Sequence, residues 1–175
     1  MARVGFGGGC HWCTEGVFQA LRGVSQVDQG FVQSDAPADT WAEGVIVTFD
    51  LSAIQLATLS EVHLRTHSAT RARSPRGNYR SAIYIFEDSQ RQEAELAIAR
   101  FAGESGKAVH TLVLPFREFR ASDERYQNYY RSDPGRPFCR RYIDPKLDYI
   151  RQHFSELARP ETSPSAKQAI DSDGN

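Results

Sequence analysis

Ten residues near the start of the chain, GGGCHWCTEG (7–16), constrain it more than any other stretch. Three consecutive glycines separate a short apolar run, Arg3 to Phe6, from a segment in which Trp12, Val17, Phe18 and Leu21 recur at helical spacing. The run predicts a strand, Gly7 to Gly9 a tight turn, and a helix from His11 that stops at Gly23, a natural C-terminal cap. Cys10 then falls at or beside the helix N-terminus, with Cys13 about one turn further on.

That position has chemical consequences. A helix start presents unpaired amide N–H groups and roughly half a positive charge. A cysteine there keeps its thiolate more easily and becomes the better nucleophile. Glycines let the backbone approach a ligand closely. Cys13 lies near enough to attack a sulfur attached to Cys10, so the pair reads as an attacking and a resolving thiol. The plainer alternative is two small buried residues in a helix.

Composition narrows the field. The 175 residues favour one domain, expected over 1–158, with 40% hydrophobic and 25% charged residues. A net charge of −1 gives no reason to expect nucleic acid or a membrane surface as partner. No stretch approaches the roughly 20 apolar residues of a membrane helix, and the N-terminus is too poor in basic and apolar residues for a secretory signal. A cytoplasmic protein is expected. Three cysteines, Cys10, Cys13 and Cys139, are too few for a secreted disulfide scaffold, which leaves redox chemistry or metal binding. His63 and His67, four apart, complete a Cys2His2 zinc site on paper; a polar helix face explains them equally simply.

Further along, Val24 to Val32 reads as a strand, Gln33 to Thr40 as a polar loop and Glu43 to Phe49 as a strand. Leu51 to Leu64 has helical periodicity. Arg65 to Arg80 holds five arginines and no acid, either a solvated loop or an anion-facing edge of a site. Ser81 to Phe86 reads as a buried strand, Asp88 to Ala102 as an amphipathic helix, and His110 to Leu114 as a strand stopped by Pro115. Asp123 to Arg131 predicts a short helix, Asp133 to Pro145 an irregular stretch, and Lys146 to Leu157 a last helix. Residues 159–175 lack a core-forming pattern and read as a disordered tail. This order predicts an α+β sandwich of the ferredoxin-like kind with a mostly antiparallel sheet.

Cys-x-x-Cys alone also suits thioredoxin-like disulfide oxidoreductases. The whole word Gly-Cys-His-Trp-Cys-x-Glu resembles the Gly-Cys-Phe-Trp-(Gly/Cys)-x-Glu signature of the A-type peptide methionine sulfoxide reductases. Four more segments resemble that family in order: AEGVIVTFD (42–50), NYRSAIYIF (78–86), FRASDERYQNYY (119–130) and RPFCRRYIDPKL (136–147). The resemblance spans about residues 3–150.

It implies thiol-dependent reduction of methionine S-sulfoxide, peptide-bound or free, with Cys10 attacking the sulfoxide sulfur and Glu43 protonating its oxygen. Tyr79 is implied to donate a hydrogen bond to the same oxygen, and Trp12 to line the pocket for the substrate methyl group. The Cys10 sulfenic acid then condenses with Cys13 or Cys139, and thioredoxin or another dithiol reduces the disulfide. Neither bound cofactor nor metal is implied, and a monomer is expected. His11 stands where the family has phenylalanine, and the family's oxygen-binding loop tyrosine has no counterpart in the shorter loop, Gly30 to Trp41. His11 thus makes the expected pocket more polar. With Arg65, Arg71, Arg73, Arg76 and Arg80, it raises a more polar or anionic sulfoxide as an alternative substrate. A thiol–disulfide oxidoreductase using Cys10 and Cys13 is a second alternative.

Overall fold

The computed structural model describes residues 1–160. In chain order it contains β1 (Ala2–Gly7), α1 (His11–Gln19), β2 (Val24–Gln33), β3 (Ala42–Phe49), α2 (Leu56–Thr66), β4 (Ala82–Ile85), α3 (Ser89–Ser105), β5 (Leu112–Pro115), β6 (Glu118–Ala121), α4 (Tyr129–Ser132) and α5 (Asp144–His153). One six-stranded sheet runs β5-β4-β1-β3-β2-β6. The first six elements, β1-α1-β2-β3-α2-β4, give the strand order 4-1-3-2 of the expected ferredoxin-like core. The sheet is nonetheless mixed: four pairings are antiparallel, while β4 and β5 run parallel. That parallel pair is the product of a helical crossover through α3, which a chain needs to return a strand in the same direction.

β1 and β3 are central and buried on both faces, which is why their sequences read as near-continuous apolar runs. On one face Phe6, Val45, Val47 and Phe49 pack with Val17 and Phe18 of α1, Leu21 just beyond it, Leu59 and Val62 of α2, and Ile150 of α5. The other face carries a smaller cluster of Val32, Ile46, Ala82 and Tyr84.

Several boundaries differ from expectation for local reasons. Oδ1 of Asp50 accepts from the backbone N–H and the hydroxyl of Ser52, at 2.9 and 2.7 Å. This turn occupies the residues expected to open α2, so the helix starts at Leu56. β6 was not foreseen: four mostly exposed residues on an edge have no alternation to read. The expected helix over 123–131 is a 3₁₀ turn and α4, divided where Asn128 adopts φ 54°. A single π-helical turn, Cys139–Ile143, runs directly into α5. Arg159, assigned to the tail, is docked instead: its backbone N–H reaches the Ala20 carbonyl at 2.8 Å and its Nε that of Leu21 at 3.1 Å. Residues 161–175 lie outside the described residues. Among the described residues no helix is long and apolar enough to cross a membrane.

Candidate active site

One end of the sheet collects the C-terminal ends of β1 and β2 and the first residues of β3 and β4. The antiparallel registers Gly7↔Ala82, Phe6↔Val45 and Phe31↔Glu43 require it. Cys10 leaves β1 there, Glu43 enters β3 there, and Tyr79 precedes β4 there. Residues more than thirty apart in sequence meet because of strand pairing alone.

Gly8 and Gly9 make the turn with φ 149° and 88°, values L side chains rarely adopt. A β-carbon on Gly8 would also lie 2.5 Å from the His67 ring. Cys10 follows as the N-cap of α1, half-buried. Its pKa is lowered first by a hydrogen bond from the Cys13 thiol and next by the backbone N–H groups of Trp12 and Cys13; burial and the charge of Glu43 act the other way. Cys13 is pushed up, because its hydrogen is committed to Cys10 and its sulfur is buried. Of the pair, Cys10 therefore gives up its proton more readily and Cys13 holds on to its own. Cys139 is fully buried on the π-helical turn, and its charge bears on Cys13. All three cysteines are reduced.

Glu43 is held by donors. Oε1 accepts from the His11 backbone N–H at 3.3 Å, and Oε2 accepts from Nδ2 of Asn78 at 3.0 Å. Tyr79, half-exposed, faces the same carboxylate; the charge of Glu43, with burial and the Cys10 charge, raises its phenol pKa.

The two residues expected to shape the substrate pocket are placed differently from each other. Trp12 stacks on Tyr129 at 4.2 Å and 10°, and Phe138 packs edge-on at 5.4 Å. Its buried indole N–H has no hydrogen-bond partner among the described residues. His11 is turned inward: Nδ1 donates to the Gly30 carbonyl at 2.7 Å, and Nε2 lies 3.3 Å from Oε1 of Glu43. The polarity foreseen for the pocket is spent on Gly30 and Glu43.

The arginine run is mostly structural. Arg80 is 1% exposed and donates to the carbonyls of Val32 (3.0 Å), Thr40 (3.2 Å) and Pro75 (2.8 Å) and to the Tyr84 hydroxyl (3.0 Å). Arg65 pairs with Glu61 and Glu104, and Arg76 with Asp39. Arg73 alone of the five lines the small cavity, about 110 Å³, beside Cys10 and Cys13. That cavity also meets His63, His67 and Lys146. The two imidazoles stack 4.0 Å apart, with Nε2 of His63 donating to the Gly7 carbonyl at 2.9 Å and Nε2 of His67 2.6 Å from the Ser81 hydroxyl. Burial lowers both, His67 to about 4, and so keeps them neutral. Among the described residues no group of three or more His, Cys, Asp or Glu is arranged to hold a metal ion, so the Cys2His2 arrangement is not assembled.

Sequence reasoning missed three contributors. Asn78 is one; its only signal was the place next to Tyr79. Gly30, the acceptor for His11, is another. The third is Glu15, the last residue of the opening word, to which the residues alone assigned no task. Its buried carboxylate accepts from the backbone N–H groups of Asn128 and Tyr129, both at 3.0 Å, and from Gln29 at 3.0 Å, fixing the turn that carries Trp12's stacking partner.

A cysteine of lowered pKa at a helix start, with a second thiol one turn on and a carboxyl and a phenol at its side, is an arrangement suited to thiol redox chemistry. A sequence profile described as peptide methionine sulfoxide reductase matches residues 2–158. A relative named peptide methionine sulfoxide reductase MsrA from Deinococcus radiodurans is 32% identical over 170 residues, covering 88% of this chain and 82% of its own length. The protein of the same name from Sulfolobus acidocaldarius is 32% identical over 167 residues, 87% of this chain and 94% of its own. Among solved structures, reduced Mxr1 from Saccharomyces cerevisiae superimposes with a TM-score of 0.68 at 21% identity, covering 79% of this chain and 88% of that one. Mxr1 in complex with Trx2 gives 0.58 at 18%, covering 73% and 84%. The chain belongs to the peptide methionine sulfoxide reductase family, of the MsrA type, and is an oxidoreductase acting on methionine sulfoxide.

Proposed function

We propose that this chain reduces methionine S-sulfoxide, peptide-bound or free, with Cys10 as nucleophile, Glu43 as acid, Tyr79 as hydrogen-bond donor and Cys13 as the first resolving thiol. The observation that carries this reading is the Cys13-to-Cys10 hydrogen bond at the start of α1, with Glu43 anchored on the backbone N–H of the very next residue.

The Cys10 thiolate attacks the sulfoxide sulfur, forming an S–S bond, while Glu43 gives a proton to the oxygen. Tyr79 donates to that oxygen as its charge develops. The hydroxyl passes to Cys10 as the thioether leaves: the substrate sulfur gains two electrons and Cys10 becomes a sulfenic acid. Cys13 condenses with it, forming the Cys10–Cys13 disulfide and releasing water. Cys13 precedes Cys139 in this scheme because it lies one helical turn from Cys10 and acts directly on its acidity, whereas Cys139 is fully buried. A dithiol of the thioredoxin kind then returns two electrons and two protons; the related fold of Mxr1 has been solved with Trx2 bound, which supports such a donor. Trp12, braced by Tyr129 and Phe138, offers an apolar wall for the thioether methyl.

Trapping tests the chemistry. In a Cys13→Ser/Cys139→Ser variant, one equivalent of S-sulfoxide should leave a sulfenic acid at Cys10 that a dimedone-type reagent labels. Product formation with no label on Cys10 would assign the oxidation elsewhere.

A further inference from the structure

Of the two His11 ring nitrogens, Nδ1 lies 2.7 Å from the Gly30 carbonyl oxygen, which only accepts, so Nδ1 carries a hydrogen in every state. A neutral imidazole with that hydrogen has a bare lone pair at Nε2. Here the lone pair faces Oε1 of Glu43 at 3.3 Å, between side chains only 7% and 12% exposed. An ionised carboxylate would set lone pair against lone pair where little water can intervene. One hydrogen between the two atoms removes the conflict, either on the carboxyl or on Nε2. The other groups recorded at the carboxyl are donors: the His11 backbone N–H, Asn78 Nδ2 and the Tyr79 hydroxyl. Of these groups only Nε2, in the neutral ring, has no hydrogen of its own to offer Oε1, so the hydrogen between them comes from the carboxyl or from a protonated ring.

We infer that His11 is a positioning residue that stores one proton with Glu43, so that the acid is loaded when the sulfoxide oxygen arrives. The pair gives this hydrogen to the oxygen as the Cys10–S bond forms; no electron passes through it. The Glu43 carboxylate then faces the Nε2 lone pair again, and a proton from water restores the pair. The charged or titratable neighbours are Cys10 at the head of α1 and Tyr79 before β4, with Arg120 of β6 lying over Phe31, the ring that packs edge-on against His11. Arg120 thus reaches His11 only through the Phe31 ring, and Cys10 and Tyr79 are the titratable groups nearest the carboxyl.

The use of that proton rests on the sulfoxide-reductase reading, but its existence does not. ¹⁵N-histidine NMR of the reduced full-length protein should find a hydrogen on Nδ1 and a second one shared between Nε2 and Glu43 at neutral pH. In Glu43→Gln the amide donates to Nε2 instead, and His11 should stay neutral. A bare Nε2 beside an ionised Glu43 carboxyl, read from its ¹³C shift, would overturn the inference. In single-turnover reduction, His11→Phe and His11→Asn should both lose rate from the alkaline side, by roughly 10-fold or more at about pH 8. The asparagine keeps a donor for Gly30 and so separates the proton from the scaffold. Superimposable pH profiles for the three proteins would also overturn it. The NMR hydrogen in a protein that reduces no sulfoxide would leave the pair standing and remove the reductase reading.

Discussion

The Cys13 thiol donates its hydrogen to the Cys10 sulfur, and the two acidities move apart because of it: Cys10 is lowered, Cys13 raised. Cys-x-x-Cys at a helix start thus separates its two thiols in acidity, the lower at the N-cap and the higher one turn in.

Removing that donor should raise the Cys10 pKa. Alkylation of Cys10 by iodoacetamide, followed against pH, should move its midpoint upward by about one unit in Cys13→Ala, roughly one hydrogen bond to a charged group. Cys13→Ser keeps a donor and should move less. An unchanged midpoint in Cys13→Ala would assign the lowering to the helix N–H groups alone.

His63, buried, and His67, partly buried at the cavity beside it, are both held neutral and make the fold sensitive to acid. The unfolded chain binds a proton at His67 near the ordinary value of 6.5, while the folded protein resists until about 4. The unfolded state therefore holds more protons in that window, and stability falls as pH drops through it. His67 alone accounts for about 3 kcal/mol across the window. Thermal melts should show Tm falling from about pH 6.5 to about 4, with a shallower slope in His67→Gln. A flat Tm would mean that the imidazoles charge without cost.

Arg80 looks like part of an anion site in sequence and is a strut in the structure. It ties the Val32, Thr40 and Pro75 carbonyls to the base of β4. Arg80→Leu strands those buried acceptors and should cost about 3 kcal/mol or more by chemical denaturation. Arg71→Ala should cost almost nothing, since that side chain is exposed.

Glu15 fixes the Trp12 stack from below. Glu15→Ala frees the Asn128 and Tyr129 N–H groups, so Tyr129 should lose its place on the indole. Trp12 fluorescence, isolated in a Trp41→Phe background, should change in intensity and position, with a stability loss of about 2 kcal/mol. An unaltered spectrum would show that the aromatic cluster holds itself.

The legible parts of this molecule were local or periodic. β1, α1, β3 and β4 announce themselves through glycine punctuation, helical spacing and β-branched runs, and their order implies the 4-1-3-2 sheet. Cys10 was legible because helix-start chemistry needs only neighbours in sequence. His11 was not, because its partners, Gly30 and Glu43, come from two other strands, and nothing in a sequence says which way a ring turns. Arg80 misled for the same reason: a charge run carries no record of which member is buried. β6 and the π-helical turn at Cys139 depend on tertiary pairing rather than on any period.

The most direct measurement counts thioether formed in one turnover by the fully reduced protein, from separate S and R epimers of methionine sulfoxide, free and N-acetylated. The mechanism predicts about one equivalent per chain from the S epimer only, lost in Cys10→Ser and in Glu43→Gln. Equal product from both epimers, or product that survives loss of Glu43, would contradict it.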